Sequence, residues 1–86
     1  MGSGTRVQSA SALGRAIRDA RRARGLTQSR LADLSGVTQP TVSSAERGVR
    51  RISLDTVLRL FAALQLDLFV EPRAARSLPA SWKGRA

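Results

Sequence analysis

The chain has 86 residues, with fifteen Lys and Arg against six Asp and Glu, a formal net charge of +9, and neither His nor Cys. Such a length makes one small domain that buries too little surface to be comfortably stable alone, so self-association is expected to be part of the fold. Disulfides and the usual zinc frameworks are excluded, and the arginine surplus favours a polyanionic partner, because Arg makes bidentate contacts with phosphates and guanine edges. Charge alone leaves DNA, RNA and an anionic membrane surface open. No apolar run approaches the length of a membrane span, and the start Met1-Gly2-Ser3-Gly4 lacks the apolar core of a secretion signal. The acids are scattered, no phosphate loop occurs, and no hydroxyl residue stands in a recognisable pattern with a base, so neither enzymatic activity nor a cofactor is expected.

Residues 1–9 are polar and Gly/Ser-rich, with Arg6 the only charge, and are expected to be a disordered lead-in. Ser9 or Ser11 caps a first helix over Ala12 to Arg24. Leu13, Ile17 and Ala20 form its apolar stripe, and Arg15, Arg18, Asp19, Arg21 and Arg22 are placed on the opposite side. Gly25 ends it. Arg21, Arg22 and Arg24 gather at its C-terminal end, where cations suit the helix dipole. Two readings of that cluster stand: a solvated face that stabilises the helix end, or a phosphate clamp using Arg21 and Arg22.

Thr27 caps a second helix opened by Gln28. From Gln28 to Arg47, apolar or small residues at Leu31, Ala32, Leu34, Val37, Val42 and Ala45 follow the spacing of a buried helical face, interrupted once near Gly36. Gly36 takes a positive φ at little steric cost and so ends the helix in a left-handed cap. Thr38 caps the next helix, and Pro40 falls in its first turn, where a missing N–H costs nothing. Ala32 is small where two helices joined in this way cross. A helix, a short Gly-containing turn and a second helix make a helix-turn-helix, whose second helix enters the DNA major groove. Gln28 and Gln39 open the two helices and are expected to point at one groove. Gln39 is the best base reader, since an amide pairs bidentately with adenine. Thr38, Thr41, Ser43 and Ser44 are further DNA-facing candidates, the alternative being short polar residues that keep a face soluble. Arg47, Arg50 and Arg51 form a second basic group beside the loop that follows, suited to the DNA backbone or simply solvated.

Ser53 caps a fourth helix with Asp55 in its first turn. Its core stripe is expected to be Leu54, Val57, Leu58, Phe61 and Leu64, with Leu60 left over for another surface. From Leu66 to Val70 the period changes to alternation, the pattern of a strand, ended by Pro72. A lone strand has no ladder partner in its own chain, so Leu66, Leu68, Phe69 and Val70 are expected to pair with their copies in a two-fold dimer. The alternative is an extended segment lying on the core. Arg73 to Ala86 is too poor in apolar residues to fold alone. Its Leu78 and Trp82 are either incidental or the anchor of a partner-binding tail.

Gly25-Leu26-Thr27-Gln28, Leu31-Ala32, Ser35-Gly36-Val37, Gln39, Val42-Ser43, Glu46-Arg47-Gly48 and Ser53-Leu54-Asp55-Thr56 closely resemble the XRE (Cro/C1) family of helix-turn-helix repressors. The resemblance covers about residues 12–65 and implies base reading by Gln28 and Gln39. Pro40 stands where a polar reader often follows. From Leu66 onward the chain resembles the HipB-type antitoxins, which add a dimer-forming strand and a mobile tail, repress their own operon on inverted repeats and bind HipA-type serine/threonine kinase toxins. The expected architecture is an all-α, lambda-repressor-like helix-turn-helix domain of four or five short helices, with one C-terminal strand pairing across a homodimer. Residues 10–71 form the DNA-binding and dimerisation domain, and residues 72–86 a flexible tail. The expected function is a bacterial, cytoplasmic repressor that binds double-stranded operator DNA and serves as antitoxin to such a kinase, with no membrane partner. The rivals are a stand-alone or phage-like XRE regulator without a toxin, and a protein-interaction module that has lost DNA binding.

Overall fold

Each helix among the described residues begins where a hydroxyl residue meets the start of an apolar stripe. Ser9, Thr27, Thr38 and Ser53 lie in extended backbone, and their side-chain oxygens accept from the N–H groups of Ala12, Arg30, Thr41 and Thr56 at 3.0, 3.0, 3.3 and 3.1 Å. A cap of this kind is worth about 1 kcal/mol. In the computed structural model, which describes residues 6–48, 51–70 and 72, these caps open α1 (Ala10–Ala23), α2 (Gln28–Ser35), α3 (Gln39–Glu46) and α4 (Leu54–Leu64). The domain is all-α. The first helix starts two residues before its expected Ala12, because Ser9 rather than Ser11 is the cap; the Ser11 hydroxyl instead accepts from Arg15.

The turn between α2 and α3 is Gly36-Val37-Thr38, with Gly36 in the left-handed region at φ 75° and its N–H donating to the carbonyl of Ala32. Half-buried Val37 packs on the core and pins the turn to the body. Ser35, buried at the end of α2, donates its hydroxyl to the carbonyl of Leu31 at 2.7 Å.

The core draws on every helix: Ile17 from α1, Leu31 and Ala32 from α2, Val42 and Ala45 from α3, and Val57, Leu60, Phe61 and Leu64 from α4. Two expectations for the apolar faces are corrected. Leu60 is fully buried, whereas Leu54 and Leu58 are 65% and 45% exposed. Val57, Leu60, Phe61 and Leu64 follow the i, i+3, i+4, i+7 spacing of a buried face, and the stripe read from sequence shares three of these but is rotated towards the wrong edge. Leu34, placed on the buried face of α2, is likewise half exposed.

Helices α1 and α3 cross at Gly14. An added Cβ there would stand 2.5 Å from the carbonyl oxygens of both Ala45 and Glu46, so the backbone of α3 occupies the space of a missing side chain. At the other end of α1, Arg24 donates through Nε to the carbonyl of Leu64 at 3.1 Å and through its guanidinium to the Gln65 side chain, which joins the C-terminal ends of α1 and α4.

Among the described residues there is no strand. The segment 66–70, expected to be a strand, pairs with no other segment among the described residues. Leu66 folds back onto the chain's own core, its N–H donating to the carbonyl of Phe61 at 2.8 Å, so it is removed from the expected pairing surface. Leu68, Phe69 and Val70 remain outside, Phe69 and Val70 at 83% and 93% exposure. Most of the expected tail, with Leu78 and Trp82, lies outside the described residues, as do Arg50 and residues 1–5 of the lead-in.

Candidate nucleic-acid interface

The face of α3 turned from the core carries the polar residues of the helix. Val42, Ala45 and Glu46 are buried, Thr38 and Gln39 at its start and Arg47 at its end are exposed, and Thr41, Ser43 and Ser44 are half-buried. Several of these side chains are already engaged with one another. The hydroxyls of Thr38 and Thr41 are 2.8 Å apart, so Thr41 serves the cap, and Arg47 donates to the Ser43 hydroxyl at 2.8 Å, which lays its guanidinium along the helix.

The two glutamines meet as expected. The Gln39 amide donates through Nε2 to Oε1 of Gln28 at 2.7 Å, and Gln28 donates through Nε2 to Oε1 of Glu46 at 3.1 Å. Glu46 in turn accepts from Nε and Nη2 of Arg21 at 2.5 and 3.0 Å, while Nη1 of Arg21 donates to the carbonyl of Leu26 at 2.8 Å. A charged pair from α1 and α3 therefore sits beneath an amide pair from α2 and α3.

Arg21 is thus not a phosphate ligand. It is buried, and its guanidinium is spent on Glu46 and on the loop after α1. The expected basic cluster divides into three: Arg21 points inward, Arg24 ties α1 to α4, and Arg22 is exposed. The signal for Arg21 was present in the spacing, because Leu13, Ile17 and Arg21 recur every four residues and so share one side of α1. Glu46 follows Val42 by the same interval. A charge placed on an apolar stripe requires a partner, and these two supply each other.

Burial pushes the Glu46 carboxyl up, but hydrogen bonds from Arg21 and Gln28, with the charges of Arg21 and Arg18, outweigh it and hold the carboxyl below its ordinary range. The Glu46 hydrogen bond raises the Arg21 guanidinium further above its already high value, against the opposing effect of burial. Both groups stay charged at neutral pH.

The helix-turn-helix family model matches residues 17–70, more than half of the chain. Among solved structures, the restriction-modification controller protein C.AhdI from Aeromonas hydrophila is 40% identical, with 67% of this chain and 84% of that chain covered and a TM-score of 0.64. The HipA-HipB-O2-O3 complex matches at 27% identity over 83% of this chain and 100% of that chain, with a TM-score of 0.76. The clp gene regulator ClgR from C. glutamicum is 31% identical over 72% of this chain and 80% of that chain, with a TM-score of 0.63. No curated protein matches the chain. Among the described residues no helix is long and apolar enough to cross a membrane.

Proposed function

This chain belongs to the XRE (Cro/C1) type of helix-turn-helix DNA-binding regulators, and from that premise we propose that it is the antitoxin and autorepressor of a HipA-type kinase toxin operon in a bacterial cytoplasm. The observation that carries the DNA reading is the outward polar face of α3, led by an exposed Gln39 whose amide is held in place by Gln28. A homodimer presents two such helices to successive major grooves of an inverted repeat, about 34 Å apart. Gln39 reads adenine; Thr38, Thr41, Ser43 and Ser44 line the groove; and Arg22 and Arg47, with Arg50, neutralise phosphates. Exposed Leu54, Leu58, Leu68, Phe69 and Val70 are the apolar surface on which a second copy is seated. Support for the antitoxin role comes from the larger share of the chain that the HipB match covers, 83% against 67% for the controller protein.

A second reading, a stand-alone regulator with no toxin, is favoured by the higher identity to the controller protein, 40% against 27%. Deleting residues 73–86 separates the two. The shortened chain is expected to keep its operator affinity and to lose most of its affinity for the purified kinase encoded beside it. A neighbouring frame without kinase motifs selects the second reading, and lost operator affinity makes the tail a DNA arm.

Gln39→Ala is expected to cost about 1–3 kcal/mol on selected duplexes and far less on random DNA, measured by fluorescence anisotropy at fixed salt. Equal losses on both would remove Gln39 as a reader.

A further inference from the structure

A hydrogen-bond chain runs from a buried charge to the exposed amide of α3, and its direction is not free. An ionised carboxylate has acceptors only, so Glu46 accepts from Arg21 and obliges Gln28 to turn its NH2 group inward. With its NH2 group on that side, Gln28 turns its carbonyl oxygen towards Gln39, whose Nε2 donates to it at 2.7 Å. This spends one N–H of Gln39 and leaves its carbonyl oxygen and its second N–H. In the major groove adenine presents an acceptor at N7 and a donor at N6, while guanine presents two acceptors, N7 and O6. One acceptor and one donor match adenine. Two donors match guanine.

We propose that ionised Glu46 is a positioning residue for base selection: acting through Gln28, it fixes the polarity of the amide chain and so makes Gln39 prefer adenine to guanine. The inference rests on Gln39 being a base reader. If Glu46 can donate, the whole chain can reverse. Gln28 then turns its carbonyl inward and its NH2 outward, Gln39 accepts, and both of its N–H groups face the groove with guanine's pattern. Arg21 takes part by holding the carboxylate ionised and in place, and Arg18 adds a second positive charge beside it.

The probe is a duplex recovered by the wild-type chain from a random pool, together with copies in which each A·T pair of a half-site is replaced in turn by G·C. The pair at which Gln39→Ala abolishes the A·T preference is the one that Gln39 reads. At that pair the wild-type chain is expected to prefer A·T by about tenfold or more. Gln28→Leu and Glu46→Gln are each expected to cut this ratio about tenfold, the ratio being taken between two duplexes that differ at that one pair, so that any loss common to both cancels. A role confined to folding would lower affinity for all duplexes together and spare the ratio.

If Gln39→Ala abolishes the preference while either variant keeps it, the chain does not set selection, although Gln39 remains a reader. If Gln39→Ala changes the preference at no pair, base reading by Gln39 fails as well. Should Glu46→Gln not fold, the double variant Arg21→Met with Glu46→Leu removes the carboxylate without leaving a buried charge unpaired, and it is expected to cut the ratio equally.

Discussion

Glu46→Ala is expected to lower the free energy of unfolding by about 3–5 kcal/mol, because it leaves the Arg21 guanidinium buried without its counter-charge. Domains of this size have little more than that to lose. The effect belongs to the unpaired charge rather than to the pair itself. Replacing both residues together, Arg21→Met with Glu46→Leu, is therefore expected to return most of the stability, since well-packed apolar side chains of similar volume do as well as a buried ion pair. Guanidinium chloride unfolding of the two single variants and the double variant measures this. A single variant that loses less than about 1 kcal/mol would mean that water reaches the pair and screens it.

The same pair sets an acid limit on stability. The Glu46 carboxyl titrates lower in the folded chain than in the unfolded one, so the folded state favours the ionised form. That contribution is complete above the unfolded carboxyl's range and is lost as pH falls through the folded one. Arg21 stays protonated throughout and adds no dependence of its own. Acidification from neutral pH is expected to destabilise the wild-type chain more steeply than the Arg21→Met, Glu46→Leu variant, with denaturant midpoints recorded at intervals from pH 7 to pH 3. Parallel slopes would place the acid sensitivity in other carboxylates.

What the sequence made legible follows the range of the interaction. Thr27, Thr38, Ser53 and Gly36 act within one turn of themselves, and each caps or ends its helix as its residue type implies. Gln28 and Gln39 each open a helix of a recognisable motif, so their meeting follows from the turn between them. The failures came where one residue type admits two environments. Arg21 reads as outward because arginines are usually solvated, although its spacing from Ile17 sets it on the buried side. On α4 both edges of the stripe are apolar, and only packing against α1 and α2 selects Leu60 over Leu54 and Leu58.

Gly14 gave no signal of its own, because a glycine within a helix reads simply as a weak position that alanine would improve by about 1 kcal/mol. The structure reverses that expectation. The two carbonyl oxygens standing 2.5 Å from its absent Cβ belong to the last turn of α3, and backbone cannot rotate aside as a side chain can. A larger residue must therefore separate α1 from α3. Gly14→Ala is expected to destabilise despite its better helix propensity, and Gly14→Val to cost at least about 3 kcal/mol, since overpacking is worst where the obstacle is main chain. Forcing the helices apart also draws Glu46 off Arg21 and tilts the helix that carries Gln39, so operator affinity is expected to fall even at temperatures where the variant stays folded. Thermal unfolding and anisotropy titrations on the same preparations test both parts. An alanine variant more stable than the wild type, with unchanged DNA affinity, would show that the crossing can open there without loss and that Glu46 is held in place by other contacts.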